Sequence, residues 1–177
     1  IRREEVMSLI HTDAIFHEIK PEYEINIGTH SGTFHCDEIL AIAMLRTLPE
    51  YKNAAVVRTR DLEVLKKCTI VVDVMAEYDP AKNRFDHHQR GFEETMDGYR
   101  TKLSSSGLIC KHFGREVLRQ IIFNRNSQES STSSTPVGPS LNDNVIDKLY
   151  KKVYEDFMEH IDGIDNGVAV SDEPIKY

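Results

Sequence analysis

The stretch Thr69-Ile-Val-Val-Asp-Val74 is an almost continuous run of β-branched residues that contains one charged side chain. Such runs are typical of strands that are buried on both faces of a parallel sheet, beneath helices. The carboxylate of Asp73 is costly to bury between two valines unless it meets a cation or hydrogen-bond donors. The run therefore predicts a central strand that ends at a metal ligand or at a hydrogen-bonded aspartate.

Segments with strand and helix patterns alternate on both sides of this run. Their order predicts an α/β fold with a mainly parallel β-sheet that is flanked by helices. The strand candidates are short and rich in β-branched or aromatic residues, whereas the helix candidates repeat apolar residues at helical spacing. We expect strands at 23–27, 54–57, 69–74 and 83–85, and helices at 35–48, 61–67, 106–123 and 143–160.

The domain organisation is simple, because 177 residues suit one domain with a substantial core. Residues 1–22 form an N-terminal peripheral segment, in which weakly helical apolar spacing predicts a helix. Residues 23–177 form the predicted metal-binding catalytic domain. Within it, residues 124–140 are poor in apolar side chains and rich in Ser, Thr, Asn and Pro, which favours a disordered insertion.

Composition restricts the functional class only mildly. The net charge of −7 argues against a broad nucleic-acid footprint, yet residues 51–126 carry 14 basic and 10 acidic residues, so a phosphate-bearing substrate is compatible. No apolar stretch approaches the roughly 20 residues of a membrane span, so no membrane association is expected. The three cysteines are widely spaced, which argues against a structural zinc knot and favours a reducing, intracellular compartment.

Candidate metal ligands follow two of the predicted strands. The loop Thr29-His-Ser-Gly-Thr-Phe-His-Cys-Asp-Glu38 brings His30, His35 and Asp37 close together in sequence, although Thr33 and the acidic pair also suit a plain helix start. The triplet Asp86-His-His88 follows another strand, where an acidic residue can orient an imidazole that binds metal. Imidazole and carboxylate together suit Mn²⁺, Zn²⁺ or Fe²⁺.

Two further aspartates lie near the C-terminus, in His160-Ile-Asp-Gly-Ile-Asp-Asn-Gly167. Asp162 and Asp165 are equally compatible with a turn and with a metal ligand, and the pattern does not choose between them. In parallel α/β sheets, ligands bind beyond the carboxyl ends of the strands. His and Asp residues at successive loops of one sheet therefore predict a shared metal site there.

The order of these motifs resembles the DHH phosphoesterase superfamily, which is named for its Asp-His-His triplet. From about residue 25 onward, apart from the Ser/Thr-rich insertion, the chain is more specifically similar to the eukaryotic melanocyte-proliferating-gene exonuclease family. That similarity is carried by the loop at 29–38 and by Phe85-Asp-His-His-Gln-Arg-Gly91, Lys102-Leu-Ser-Ser-Ser-Gly-Leu108, Lys111-His-Phe-Gly114 and Ile164-Asp-Asn-Gly167. His35 stands where many superfamily members carry aspartate, a replacement that the closer family shares and that bears on metal preference.

The resemblance implies a DHH-type N-terminal domain that hydrolyses phosphodiesters, removing nucleotides 3′ to 5′ from RNA or single-stranded nucleic acid. It implies two divalent ions as cofactors, Mn²⁺ or alternatively Mg²⁺, with Asp73 as the bridging ligand. Asp86, His87 and His88 are the implied catalytic triplet, in which His88 either binds metal or donates to the substrate. The implied metal ligands are His30, His35, Asp37, Asp73, His87, and Asp162 or Asp165.

The serine-rich turn before the helix at 106–123 is a second phosphate candidate. Its amides, near Ser105, suit a phosphate, with Lys102 or Arg100 adding positive charge, although an ordinary helix cap is the favoured explanation of the serines. The resemblance further implies a substrate-closing C-terminal domain that we expect to be missing from this chain, and a location in the nucleus or mitochondrial matrix, with the cytoplasm as alternative. Oligomeric state stays open.

Two other functions remain open from the sequence. One is a phosphohydrolase for a small substrate such as pyrophosphate or a dinucleotide, for which an acidic chain is less of a handicap. The other is a non-catalytic regulatory module that binds metal for stability alone.

Overall fold

Six strands form one sheet in the computed structural model, which describes residues 15–20, 22–129 and 142–169. The strand order is β1-β3-β2-β4-β6-β5, and every neighbouring pair is parallel except β5 with β6. The predicted α/β class and mainly parallel sheet are therefore confirmed. The strands are β1 (Ile15–Phe16), β2 (Asn26–Thr29), β3 (Ala55–Arg58), β4 (Ile70–Val72), β5 (Tyr78–Asp79) and β6 (Arg84–Phe85).

Helices cover this sheet and supply the rest of the core. The longest is α3, which packs against α1. The helices are α1 (Cys36–Thr47), α2 (Leu62–Leu65), α3 (Ser105–Glu129), α4 (Asp143–Val153) and α5 (Glu159–Asp165), with a 3₁₀ turn at Pro80–Lys82 and a π turn at Tyr154–Met158. Among the described residues, no helix is both long and apolar enough to cross a membrane.

Two groups of apolar side chains make the core, because the strands alternate their side chains between the two faces of the sheet. The larger group includes Ile27, Ile70 and Phe85 and packs beneath α1 and α3. The smaller group is built on Val57, Leu65, Cys68 and Val71. Both faces are thus covered, as the β-branched run predicts.

The carboxyl ends of three strands meet at one edge of the sheet. The registers pair Ile27 with Ile70, and Val72 with Phe85, so β2, β4 and β6 run side by side and end together. The residues that follow these ends are His30, Asp73 and Asp86. This alignment brings three separate motifs to one place.

The N-terminal region differs from its prediction. Ile15–Phe16 forms an edge strand that pairs with Val56 and Val57 of β3, so a helix is wrong for these two residues. Since β3 otherwise exposes unpaired backbone groups, a β-branched and an aromatic residue beside it gain a hydrogen-bonded ladder. Residues 17–20 are not helical either, and the remainder of the predicted helix, at residues 1–14 and 21, lies outside the described residues.

Two helices also extend past their predicted ends. The helix α3 continues to Glu129, so a disordered insertion beginning at residue 124 is wrong for 124–129; no Gly or Pro interrupts this stretch. The rest of that segment, from 130 to 140, lies outside the described residues. The helix predicted at 143–160 instead runs to Asp165 and contains the π turn, in which Tyr154 and Met158 are buried.

Candidate metal centre

Asp73 lies at the middle of the predicted ligands, immediately after β4. Its backbone is left-handed (φ 58°), a conformation that aspartate tolerates better than most residues, and its side chain is fully buried. One carboxylate oxygen, Oδ2, lies 3.3 Å from His30 Nε2 and 3.9 Å from His35 Nδ1. The other, Oδ1, lies 3.4 Å from His87 Nε2. The two oxygens of one carboxylate therefore face two different sets of side chains.

The first set consists of His30, His35 and Asp73, whose ligand atoms all lie within 4.8 Å of one another. His30 is buried at the end of β2, and its ring centroid is 4.8 Å from that of His35. His35 is the N-cap of α1, and its side chain is half exposed. Imidazole and carboxylate groups at this separation suit one transition-metal ion.

The second set consists of Asp37, His87 and Asp165. His87 Nε2 lies 3.8 Å from Asp37 Oδ2 and 3.2 Å from Asp165 Oδ2. Asp37 comes from the first turn of α1 and Asp165 from the last residue of α5. With Asp73 Oδ1 beside His87, these residues could hold a second ion next to the first.

Several buried polar atoms in both sets have no hydrogen-bond partner. They are Asp37 Oδ1, Asp73 Oδ2 and His87 Nε2, whereas His30 Nε2 lies 2.5 Å from an oxygen of Glu38. Buried polar groups are normally satisfied, so three such atoms that converge on one place favour a bound ligand there. Lone pairs of imidazole and carboxylate fit divalent cations, and the residues present therefore fit a bound metal ion.

The electrostatics of the second set also favour a cation. Burial, then the neighbouring charges of Asp73 and Asp165, raise the pKa of Asp37 to about 7. A divalent ion between these carboxylates would favour the ionised form of Asp37.

The raised pKa of Asp37 predicts how the stability of the metal-free protein depends on pH. The pKa of Asp37 in the folded protein lies above its ordinary value of 3.8, so folding favours the neutral carboxyl, and the contribution of this group to stability falls as pH rises from about 4 to 7. Denaturant unfolding in chelator should show this fall, and Asp37→Asn should reduce it. Saturating Mn²⁺ should also offset it, because the ion binds only the folded, ionised site. An equal slope in wild type and Asp37→Asn would contradict this assignment.

Asp86 orients His88, as the sequence predicts. Asp86 Oδ1 lies 2.7 Å from His88 Nδ1, and the amides of Ala76 and His88 also donate to this carboxylate. Burial raises the pKa of Asp86, but these hydrogen bonds outweigh it and the net shift is downward. The bond to Asp86 in turn raises the pKa of His88 to about 9. His88, with 55% of its side chain exposed, is therefore a cation at neutral pH.

Asp162 has a different environment from Asp165. It is fully buried and accepts hydrogen bonds from the Ser104 amide (3.0 Å), the Ser104 hydroxyl (2.7 Å) and the Tyr154 hydroxyl (3.1 Å). Burial raises its pKa to about 6. Asp162 thus ties α5 to the start of α3, while Asp165, one helical turn further on, faces His87.

Substitution of the two aspartates should separate these environments. Asp165→Asn is expected to lower metal content while leaving the melting temperature of the metal-free protein unchanged or raised, since a repulsive charge is removed. Asp162→Ala is expected to lower that melting temperature by several degrees, because buried donors lose their acceptor. Elemental analysis and calorimetry on both variants would measure this. A larger loss of metal in Asp162→Ala at native-like stability would reverse the assignment.

The amide and hydroxyl donors of Ser105 are both used in hydrogen bonds to carboxylates of the candidate metal centre. Its hydroxyl donates to Asp73 Oδ1 at 3.1 Å and its amide to Asp37 Oδ2 at 3.3 Å. Ser105 therefore orients two predicted ligands, which differs from the phosphate contact predicted from the sequence. Lys102 and Arg100 lie in the loop before α3, where Arg100 is exposed, and their contact with a phosphate stays a prediction.

Sequence reasoning missed a buried ion pair beside the first set. Glu38 follows Asp37 on α1, and its carboxylate pairs with Arg58, the last residue of β3. Its other oxygen lies 2.5 Å from His30 Nε2 and accepts from the His35 amide at 3.3 Å. The sequence treats Glu38 only as a charge at a helix start; an arginine ending a buried strand was the signal that could have identified its partner.

Comparisons with known proteins agree with these motifs. Residues 26–177 match the family model MYG1_exonuc, described as "Uncharacterised protein family (UPF0160)". The chain is 51% identical over 149 residues to the MYG1 exonuclease of Mus musculus, covering 81% of this chain and 35% of that protein. Identity is 50% over 149 residues with the MYG1 exonuclease of Homo sapiens (81% and 36% covered) and 47% over 144 residues with the MYG1 protein YER156C of Saccharomyces cerevisiae (81% and 38% covered).

The chain thus spans about a third of the length of these mammalian relatives. No solved structure shows a significant match to it.

Proposed function

This chain belongs to the MYG1 exonuclease family, and on that premise we propose that it is a divalent-metal-dependent phosphodiester hydrolase. Its reaction in this proposal is the 3′ to 5′ removal of nucleotides from RNA or other single-stranded nucleic acid, at a DHH-type site. Mn²⁺ is the proposed metal. A location in the nucleus or mitochondrial matrix, with the cytoplasm as alternative, stays a prediction from the family resemblance.

The observation that carries the proposal is the position of the Asp73 carboxylate. Its Oδ2 faces His30 and His35, and its Oδ1 faces His87. A single carboxylate between two ligand sets is the arrangement that a pair of bridged ions needs. A site that binds one ion for stability alone would need no second set.

When bound, two divalent ions would lower the pKa of a water nucleophile and stabilise the attacking and leaving oxygens of the phosphoryl transfer. His30, His35 and Asp73 would hold one ion, and Asp37, His87, Asp165 and Asp73 the other. Ser105 keeps the Asp37 and Asp73 carboxylates in place through its amide and hydroxyl. Fixed ligands matter because the reacting atoms must be held within a fraction of an ångström.

His88 adds a positive charge at the open side of the centre. Its Nδ1 is committed to Asp86, so its Nε2 is the nitrogen that remains to donate a proton or hydrogen bond. The hydrogen bond to Asp86 raises the pKa of His88 to about 9 in the metal-free protein, which favours the imidazolium at neutral pH. We assign it to the scissile phosphate or the departing oxygen, where negative charge grows in the transition state.

Cleavage of single-stranded oligonucleotides labelled at the 5′ end tests the proposal. The full-length protein with Mn²⁺ should shorten RNA in single-nucleotide steps from the 3′ end, and chelator should stop it. A DNA oligonucleotide of the same sequence would test whether the sugar matters, and an RNA with a blocked 3′ end would test the direction of cleavage. Pyrophosphate would test for a small substrate. Turnover of pyrophosphate alone would replace the exonuclease with a small-substrate enzyme, and metal binding without any turnover would reduce the site to a structural role.

A further inference from the structure

We propose that Phe34 is a stacking surface for a nucleobase beside the scissile phosphate. This inference rests on the proposed function and adds a residue that positions the substrate. It is carried by three features of Phe34: its exposure, the arginine that covers one ring face, and the contacts that connect this arginine to the first ligand set.

Phe34 is exposed at the rim of the candidate metal centre. It immediately precedes His35, and 57% of its surface is accessible to solvent. Single exposed apolar residues are common and need no explanation on their own. Phe34 differs from them because its ring is held in place next to a ligand.

Arg58 holds the ring from one side. Its guanidinium carbon lies 3.9 Å from the centroid of the Phe34 ring, within the range of a cation–π contact. Arg58 is only 5% exposed, because its Nη2 donates to the Gly32 carbonyl at 3.3 Å and its Nη1 pairs with Glu38. A buried guanidinium fixed by two partners therefore covers one face of the Phe34 ring. The ring face that is open to solvent is the opposite one.

The same contacts place the ring close to the metal ligands. Glu38 bridges Arg58 and His30, since one of its oxygens pairs with the guanidinium and the other lies 2.5 Å from His30 Nε2. The Phe34 ring is thus separated from a ligand nitrogen by one guanidinium and one carboxylate. A phosphate at the centre would have the base of an adjoining nucleotide within reach of this ring.

A nucleobase is the ligand that suits such a surface. Every base has a π face, so stacking on an aromatic ring binds all four bases without reading their sequence. This sequence-tolerant contact suits an exonuclease that shortens strands of any sequence. The charge of Arg58 is already balanced by Glu38, which argues against Arg58 as a direct phosphate ligand and for a role in holding the ring.

Binding of a fluorescent base tests the stack without turnover. The probe is a single-stranded oligonucleotide with 2-aminopurine at either of its last two 3′ nucleotides, cleavage-resistant terminal linkages, and Mg²⁺ present. Wild type and Phe34→Tyr should quench the fluorescence, because both retain a ring over Arg58. Phe34→Leu should lose the quench and weaken binding by about 5- to 100-fold.

A second measurement uses cleavage rates and a matched control. Wild type should cut an oligonucleotide with an abasic residue at these positions at least about fivefold more slowly than an intact one, and Phe34→Leu should abolish this difference. Phe157→Leu, at a residue 50% exposed in the π turn, should behave as wild type. Melting temperatures close to wild type would exclude misfolding.

The outcomes separate this inference from the function on which it rests. If Phe34→Leu quenches 2-aminopurine fluorescence and cuts abasic oligonucleotides more slowly than intact ones, as wild type does, Phe34 has no stacking role. The proposed exonuclease function would then stand unchanged. Wild type that cuts no oligonucleotide but quenches through Phe34 would overturn the exonuclease alone. Wild type that neither binds nor cuts an oligonucleotide would overturn both.

Discussion

Asp73→Asn is expected to reduce the rate of the proposed phosphodiester hydrolysis by about 10³-fold or more, the scale seen when a residue that acts as part of a catalytic unit is removed. Asparagine retains one oxygen and replaces the other with an NH₂ group, which cannot bind a cation. Since Asp73 Oδ2 and Oδ1 face different ligand sets, at least one ion should be lost. Asparagine is the informative replacement because it also tolerates the left-handed backbone at this position (φ 58°).

Rates with Mn²⁺ and metal content by elemental analysis would measure the effect. The melting temperature of the metal-free variant should equal or exceed that of wild type, since the Asp73 charge is one cause of the raised pKa of Asp37. Asp61→Asn is the matched control, because Asp61 caps α2 outside the ligand sets and asparagine caps equally well. An Asp73→Asn variant that keeps two ions and a tenth of the rate would exclude a bridging role.

Gly107→Ala is expected to destabilise the fold by about 3 kcal/mol. A Cβ on Gly107 would lie 2.7 Å from Asp162 Cγ and 2.6 Å from Oδ2, and closer still to Oδ1. The Asp162 carboxylate cannot yield easily, because Ser104 and Tyr154 hold it. The clash should therefore push α5 away from α3 and displace Asp165, so that metal affinity falls together with stability.

Denaturant unfolding with and without Mn²⁺ would quantify both losses. Gly163→Ala, in the same helix as Asp165, is the control: its Cβ would meet only Val168 at 3.8 Å, an ordinary contact. Alanine at this helical position should be neutral or stabilising by up to about 1 kcal/mol. Gly107→Ala with wild-type stability would show that the Asp162 carboxylate moves freely.

The sequence predicts the sheet edge well, because strand ends and ligand residues are local signals. Asp73 follows a short apolar strand and the Asp86-His-His88 triplet follows the strand Arg84–Phe85, and the parallel pairing of these strands places the two motifs side by side. The family of the chain is likewise evident from these motifs and is confirmed by the comparisons.

The distinction between Asp162 and Asp165 could not be made from sequence. It depends on hydrogen bonds between Asp162 and Ser104, two residues far apart in the chain, and on the path of the C-terminal helix. The pairing of Glu38 with Arg58 is equally non-local. The strand at Ile15–Phe16 depends on a free edge of β3, which no pattern within those residues encodes.

The direction in which Asp165 points depends on the number of residues in the π turn at Tyr154–Met158, which precedes α5. A π turn holds an extra residue, and each residue of an α-helix rotates the following side chains by about 100° around the axis. Loss of one residue here would turn a different face of α5 toward His87 although every ligand was retained. In this chain, a one-residue deletion at the π turn is therefore expected to displace Asp165 from His87 as a ligand substitution would.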